Sequence, residues 1–223
     1  MLLQVITQKV SVNIALIGLI LILTQAKTAE SQIFSGSKTK NISCQEKWWA
    51  IGHLCVARKA FNLTRYSLEV TDSIGRTNII GTNIHGGNLD AFKHAFWMAT
   101  LTQNIKWKKA KKLGLAHEKA NYRSFAKASK KGMTDGHDQV STDMDLWNNE
   151  KGLAIGIVCY RCDRETLIRA VVDSIKLGSM KIIRINDQGE FLDKDGKVIL
   201  AEHLTGKWVN DKCLAPSGTK NQE

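Results

Sequence analysis

The feature that most constrains the fold is the segment from Asn88 to Leu101, which is apolar around most of its circumference. A helix of this kind is buried at the centre of a fold. Asn88 is predicted as its N-cap, with Asp90 in the first turn. Asp90 and His94 lie four residues apart, so a helix places both side chains on one face. The predicted packing face consists of Phe92, Ala95, Phe96, Ala99 and Leu101.

Two further polar clusters follow in helix-like sequence. One is the pair His117 and Glu118, and the other is a group of acids and amides that includes Asp145 and Asn149. Side chains of this kind on separate helices converge inside bundles, which is how such folds build metal and catalytic sites. We therefore expect both clusters to form one shared site with the polar pair of the central helix.

The residue types of this expected site allow two kinds of chemistry. Carboxylate, imidazole and amide ligands suit zinc, manganese, iron or calcium better than a soft metal, and a divalent ion held by them would activate water. Without a metal, His94 or His117 paired with a carboxylate would serve as general base. The predicted metal ligands are Asp90, His94, His117, Asp145 and Asn149. The predicted catalytic residues are His94, His117, Glu118 and Asp145.

The whole chain predicts a mainly α fold, a helical bundle with a small C-terminal β-hairpin. Apolar spacing predicts helices over 58–74, 113–129, 140–151 and 164–177. Short segments between 181 and 200 alternate like strands, and Asp195 followed by Gly196 is a hairpin turn signal. The predicted divisions are a signal peptide (1–29), a disulfide-containing segment (30–57), a helical domain carrying the site (58–180), and the hairpin with a polar tail (181–223).

The first 29 residues have the pattern of a secretory signal peptide. Lys9 precedes an apolar run over 14–23, and small residues with Ala26 and Ala29 follow. The run is shorter than the roughly 20 residues of a membrane-spanning helix, but it matches the apolar core of a signal peptide. We expect an exported protein, periplasmic or secreted, with no stable membrane span after cleavage. An uncleaved signal anchor is the alternative.

Export predicts disulfides among the five cysteines, because disulfides form in oxidising compartments. The pairs that lie close in sequence are Cys44 with Cys55 and Cys159 with Cys162, although the sequence does not fix the connectivity. A redox role for Cys159 and Cys162 is an alternative. The strand and helix alternation of a thioredoxin-like protein is missing around them.

The chain is basic, with 32 Lys and Arg against 21 Asp and Glu and a net charge of +11. A solvated helix face is the favoured interpretation of such charge runs. The alternative is a surface for an anionic partner, such as phospholipid or another component of the cell envelope. Predicted export argues against nucleic acid, except in a secreted nuclease toxin. The densest run contains Lys106, Lys108, Lys109, Lys111 and Lys112.

Three motifs follow one another between residues 87 and 156. They are Asp90-Ala-Phe-Lys-His94-Ala-Phe-Trp97-Met-Ala99, then Ala116-His117-Glu118, then Met144-Asp145-Leu-Trp-Asn148-Asn149-Glu-Lys-Gly152. In this order they resemble a bacterial helical domain family of unknown function, found in envelope, phage and secreted-toxin proteins. The resemblance implies that these residues form one site, but it brings no established reaction. Trp147 stands where the family has a His, which weakens a metal assignment if that His is a ligand.

The leading hypothesis is an exported helical hydrolase, metal-assisted, that acts on an ester or phosphodiester of the cell envelope. The alternative is a non-enzymatic envelope or secreted effector module. In that case the polar cluster is a structural network and the basic face binds anionic polymers. The metal content of the purified protein would separate the two hypotheses. The sequence leaves the oligomeric state open.

Overall fold

The computed structural model describes residues 42–131 and 136–218, so the predicted signal peptide lies outside the described residues. The prediction of a mainly α fold with a small C-terminal antiparallel β element is confirmed. The elements are α1 (Cys44–Gly52), α2 (Leu54–Thr77), α3 (Asn88–Ile105), α4 (Trp107–Ser129), α5 (Gln139–Val158), α6 (Arg164–Lys176), β1 (Lys181–Ile183), α7 (Ala201–Leu204) and β2 (Leu214–Pro216).

Helix α3 lies at the centre of the bundle, as its apolar sequence predicts. Only Lys93, Gln103 and Asn104 among its residues escape burial. The helix packs against α2, α4, α5, α6 and β1. Phe92 and Phe96 belong to one apolar core, and the other core lies against α1, α2 and α4. Any polar side chain on α3 is therefore held in a packed interior.

The start of α3 differs from the prediction at one residue. Gly87, in an extended conformation, is the N-cap, and Asn88 lies inside the helix. The buried Asn88 Oδ1 accepts a hydrogen bond of 3.0 Å from the backbone N–H of Gly218. The Asn88 amide thus joins the segment around Gly218 to the central helix. Asn88 makes this tertiary contact and does not cap the helix as predicted. Asp90 does lie in the first turn.

Helices α3 and α5 pack most extensively, and two glycines allow their close approach. A Cβ built on Gly152 would lie 2.2 Å from the carbonyl oxygen of Ala95. A Cβ on Gly156 would lie 2.6 Å from the carbonyl oxygen of Ala99. Both distances are far below an ordinary contact, so only glycine fits at these positions. This seam brings Asn149 and Asp145, which lie about one and two turns earlier on α5, next to the polar residues of α3.

The β element pairs differently from the predicted hairpin. Strand β1 pairs antiparallel with β2, with Ile182 opposite Ala215, so the segment predicted as a polar tail supplies the second strand. The predicted turn at Asp195 and Gly196 is present between isolated bridges, including Leu192 with Val198. The local hairpin is thus present as isolated bridges, while burial of β1 against the bundle selects the distant partner β2.

The C-terminal segment is fixed to the start of α5 by a buried ion pair. Lys212 Nζ lies 2.8 Å from Asp138 Oδ2, and both side chains are nearly inaccessible to solvent. Asp138 is also the N-cap of α5, where its Oδ1 accepts from the backbone N–H of Ser141. Trp208 packs against Tyr122 and accepts a hydrogen bond from the start of α5 through its carbonyl. The segment around Trp208 and Lys212 therefore holds the start of α5, the helix that carries Asp145 and Asn149.

The cysteines follow one of the two pairings that the sequence suggests. Cys159 and Cys162 form a disulfide at the end of α5. Cys44 and Cys55 are exposed free thiols on consecutive helices, so the other suggested pair is not bonded. Within the described part of the chain, no helix is long and apolar enough to cross a membrane.

Candidate metal and catalytic site

The site begins with the first turns of α3. Asp90 and His94 share one helix face, with Asp90 Oδ1 3.6 Å from His94 Nε2. The other carboxylate oxygen, Asp90 Oδ2, accepts a hydrogen bond of 2.7 Å from the backbone N–H of Gly86. Gly86 has a positive φ of 86°, which glycine adopts without strain. The loop before α3 therefore fixes one oxygen of Asp90 and leaves the other facing His94.

Helix α5 supplies the opposite wall. Asp145 Oδ1 lies 3.1 Å from His94 Nε2. One ligand atom from each of Asp90, His94 and Asp145 falls within 4.8 Å of the others, and all three residues are buried. Asn149 follows Asp145 by four residues on the same helix face and is also buried. The glycine seam is the reason that these two helices approach closely enough for the contact.

Four polar atoms of this cluster are buried without a well-formed hydrogen bond from the described residues. They are Asp90 Oδ1, His94 Nδ1, Asp145 Oδ1 and Asn149 Oδ1. Lys93 Nζ forms an ion pair with Asp90 Oδ1 at 2.5 Å, and His94 Nε2 lies 3.1 Å from Asp145 Oδ1. A buried polar atom without a partner costs about 1–3 kcal/mol. A bound cation could satisfy the carboxylate oxygens among these atoms.

The spacing of the donor atoms fits a single divalent cation. Ligand atoms bound to one ion at about 2.1 Å lie about 3.0–3.4 Å apart when they are adjacent. The two distances from His94 Nε2, 3.1 Å to Asp145 and 3.6 Å to Asp90, are close to this range. Two carboxylates with one imidazole are hard or borderline donors, which suit zinc, manganese or iron(II). Asp90, His94 and Asp145 could therefore hold such an ion.

Burial sets the protonation of two of these residues. It lowers the pKa of His94 well below its ordinary 6.5, and the charge of Lys93 lowers it further. The imidazole is therefore neutral at neutral pH, the form that binds metals. Burial, with Glu118 and Asp90 nearby, raises the pKa of Asp145 well above 3.8. A cation beside Asp145 would oppose this rise, because it favours the carboxylate.

Glu118 and Asn149 form the next layer. Asn149 Nδ2 donates to Glu118 Oε1 at 3.3 Å, and Asn121 Nδ2 donates to Glu118 Oε2 at 3.1 Å. The Asn149 side chain also raises the pKa of His94, so it lies beside the imidazole. In the described structure, neither His94 Nδ1 nor Asn149 Oδ1 makes a well-formed hydrogen bond. Both oxygens of Glu118 are thus engaged, and this residue holds Asn149 against His94.

His117 lies beside the three candidate ligands, with its ring centroid 6.4 Å from that of His94. Its Nδ1–H donates to Glu46 Oε1 at 2.8 Å, and its side chain is 37% exposed. Burial lowers the pKa of His117, but the Glu46 hydrogen bond and the charge of Glu118 outweigh this, so the net change is a rise. Trp97 covers the ring edge-on. His117 is therefore an oriented imidazole that tends to carry a proton.

Glu46 was not predicted, and its position explains how it reaches the site. It forms a capping box with Ser43 at the start of α1, because Ser43 Oγ accepts from Glu46 N and Glu46 Oε2 accepts from Ser43 N. The remaining oxygen, Glu46 Oε1, accepts the hydrogen bond from His117. The capping box is visible in the sequence, but its contact with a histidine 71 residues away is not.

Two residues of the third motif have structural roles. The indole N–H of Trp147 donates to the carbonyl of Ser179, and the ring is 41% exposed. Trp147 does not belong to the group of candidate ligands. Asn148 is fully buried and pairs with both backbone groups of Lys181 at 2.9 Å. Asn148 therefore holds β1 on α5, whereas its neighbour Asn149 faces the site.

The structure brings together all the residues that the sequence proposed for the site. Asp90, His94 and Asp145 lie within metal-binding distance of one another. Asn149 and Glu118 are joined to each other by a hydrogen bond, and the His117 ring lies beside that of His94. The predicted roles in catalysis and metal binding stay predictions. The residues brought together are Asp90, His94, His117, Glu118, Asp145 and Asn149.

Fold and site together define a helical-bundle protein with a buried Asp–His–Asp cluster between two tightly packed helices. Residues 47–179 match the family model described as a domain of unknown function, DUF6973. The match spans more than half of the chain, so the chain belongs to this family, and the expected resemblance to a domain family of unknown function is confirmed. Neither the curated proteins nor the solved structures contain a match to the chain.

Proposed function

We propose that this protein is a metal-assisted hydrolase that cleaves an ester or phosphodiester of the cell envelope. The observation that carries the proposal is the buried cluster of Asp90, His94 and Asp145, in which one ligand atom of each residue lies within 4.8 Å of the other two. Export to the periplasm or outside the cell is part of the proposal and rests on the N-terminal apolar run.

A bound divalent ion would supply a Lewis acid and a water of lowered pKa. The chain's own residues would supply the proton donor and the groups that orient the ligands. His117, oriented by Glu46 and with a raised pKa, holds a proton that it can give to the leaving oxygen. Glu118 keeps Asn149 beside His94, and such support around a metal ligand fixes its orientation. Burial of the cluster excludes bulk water from the ligands.

The test is hydrolysis of 4-nitrophenyl esters and phosphodiesters by purified protein, stripped of metal and reloaded with zinc or manganese. We expect activity only in the loaded protein, and we expect His94→Ala to abolish it while the helical circular dichroism signal is retained. His203→Ala is the matched control, because His203 is half-exposed on α7 and far from the cluster in sequence. Equal activity of His94→Ala and the control would reject the proposal.

A second candidate function is supported by the charge distribution of α4. Its single acid, Glu118, is buried. Lys108, Lys112 and Lys119 are exposed and, at about 100° per residue, share one face. Exposed Leu115 and Tyr122 lie beside them. The basic residues of α4 are Lys108, Lys109, Lys111, Lys112, Lys119, Arg123 and Lys127.

In this second candidate, the protein is a non-enzymatic module that binds an anionic envelope surface through α4. Each Lys near an anionic membrane contributes about 1 kcal/mol. The test is co-sedimentation with phosphatidylglycerol vesicles at low and high salt. The double variant Lys112→Glu with Lys119→Glu should release the protein, whereas Lys176→Glu with Lys194→Glu, also exposed, should not. Equal binding of the two double variants would reject this candidate.

A further inference from the structure

Lys93 is the lysine that contacts the candidate ligands, and the proposed hydrolysis gives it no role. Its Nζ lies 2.5 Å from Asp90 Oδ1, the same oxygen that faces His94. Its side chain is 28% exposed, whereas those of Asp90 and Asp145 are only 9% exposed. Lys93 therefore contacts one of the candidate ligands and is more accessible to solvent than either carboxylate.

The charges of the cluster select the kind of substrate. Asp90 and Asp145 contribute two negative charges, a ligand imidazole is neutral, and Lys93 contributes one positive charge. A divalent ion bound to the two carboxylates would balance their charge, and the ammonium would stand beside the ion. Glu118, which accepts from Asn149, and the ion pair of His117 with Glu46 also contribute to the field of the site. An ammonium next to a divalent ion attracts an anion, because attraction between charges is strong where water is excluded.

Of the two bond types in the proposed function, only one has an anionic reacting group. A phosphodiester carries its charge on oxygens bound to the reacting phosphorus, so Lys93 could bind one of them directly. A carboxylic ester is neutral in its ground state, and negative charge develops on its oxygen only in the transition state. Binding of the substrate itself by Lys93 therefore favours the phosphodiester over the neutral ester.

We infer that the substrate is an anionic phosphodiester, and that Lys93 is the residue that binds its non-bridging oxygen; this inference rests on the proposed function. In the reaction, the oxygen of a water molecule forms a bond to phosphorus and the bond from phosphorus to the leaving oxygen breaks. The leaving oxygen takes a proton from His117, and the water releases one proton to solvent. The products are a phosphomonoester and an alcohol.

The first experiment measures inorganic phosphate binding by calorimetry to zinc-loaded wild type, Lys93→Gln and Lys93→Arg. We expect Lys93→Gln to weaken phosphate binding about tenfold to a hundredfold, because a hydrogen bond to a charged group is lost. Lys93→Arg should keep most of the affinity. Zinc affinity should not fall in Lys93→Gln. The matched control is Lys176→Gln, an exposed lysine at the end of α6. Unchanged phosphate affinity in Lys93→Gln would overturn the inference.

The second experiment compares bis(4-nitrophenyl) phosphate with the neutral 4-nitrophenyl acetate in the same loaded proteins. We expect wild type to prefer the phosphodiester, and Lys93→Gln to raise KM for it about tenfold or more without a comparable change for the acetate. Cleavage of the acetate alone would overturn the inference and leave the proposed hydrolase standing. Phosphate binding that depends on Lys93, without cleavage of either compound, would reject the hydrolase and keep the anion site.

Discussion

The glycine seam between α3 and α5 allows a sharp prediction for the substitution Gly152→Ala. The added Cβ would lie 2.2 Å from the carbonyl oxygen of Ala95, where an ordinary contact is at least 3.4 Å. The obstacle is backbone, so the helices must separate by about 1 Å. Overpacking of this kind costs about 1–3 kcal/mol, which for a chain of this size lowers Tm by about 2–4 °C per kcal/mol.

The same displacement should loosen the metal site. Ala95 follows His94 directly, and Asp145 approaches His94 Nε2 to 3.1 Å from the other side of the seam. A separation of about 1 Å would take the two atoms to about 4 Å, beyond the spacing of adjacent ligands on one cation. We expect zinc affinity, measured by calorimetry, to fall about tenfold to a hundredfold, as it does when support around a metal ligand is lost.

Gly52→Ala is the matched control, because no atom lies within 4 Å of a Cβ built on Gly52. This variant should melt and bind zinc like wild type. If Gly152→Ala also melted within about 1 °C of wild type and kept its zinc affinity, the seam would not set the geometry of the site, and the reasoning would be refuted.

Two further predictions concern buried charges. Asp138→Asn should cost about 3–5 kcal/mol in a denaturant titration at pH 7, because it leaves the buried Lys212 ammonium unpaired. Burial raises the pKa of Asp138, but hydrogen bonds from Lys212 and Ser141 outweigh it and leave the pKa below 3.8. The contribution of the Asp138 carboxylate to the free energy of unfolding is therefore present above pH 3.8 and lost as the pH falls through the lowered pKa. The free energies of unfolding of wild type and Asp138→Asn should converge in acid, and a difference that stays constant with pH would contradict this. Glu46→Gln should lower the pKa of His117, followed by NMR titration, because the charged partner that raises it is removed; an unchanged pKa would show that Glu46 does not control His117.

The sequence predicted those parts of the site that depend on local periodicity. Asp90 and His94 share a face because they are four residues apart on one helix, and the all-round apolar pattern places that helix at the centre. The acid and amide positions of α5 followed from the same spacing rule. Local spacing predicts which residues share a helix face, and the polar groups of a buried face need hydrogen-bond or charge partners.

The parts that the sequence did not predict depend on contacts between distant segments. The partner of His117 is Glu46, 71 residues earlier, and β1 pairs with a strand about 30 residues later. The role of Gly152 becomes visible only when the Ala95 backbone is placed against it. Burial and close packing select such contacts, and no periodicity of a single segment encodes them.

The most direct test of the metal site is calorimetric titration of zinc and manganese into metal-stripped protein. Wild type should bind one equivalent, and Asp145→Asn should lose about a hundredfold in affinity or more, because a carboxylate ligand is removed. Asp143→Asn is the matched control, since Asp143 lies two residues earlier on α5 and is exposed. One equivalent bound by wild type and Asp143→Asn but not by Asp145→Asn is the predicted result. No binding by wild type, or equal binding by the two variants, would contradict the account.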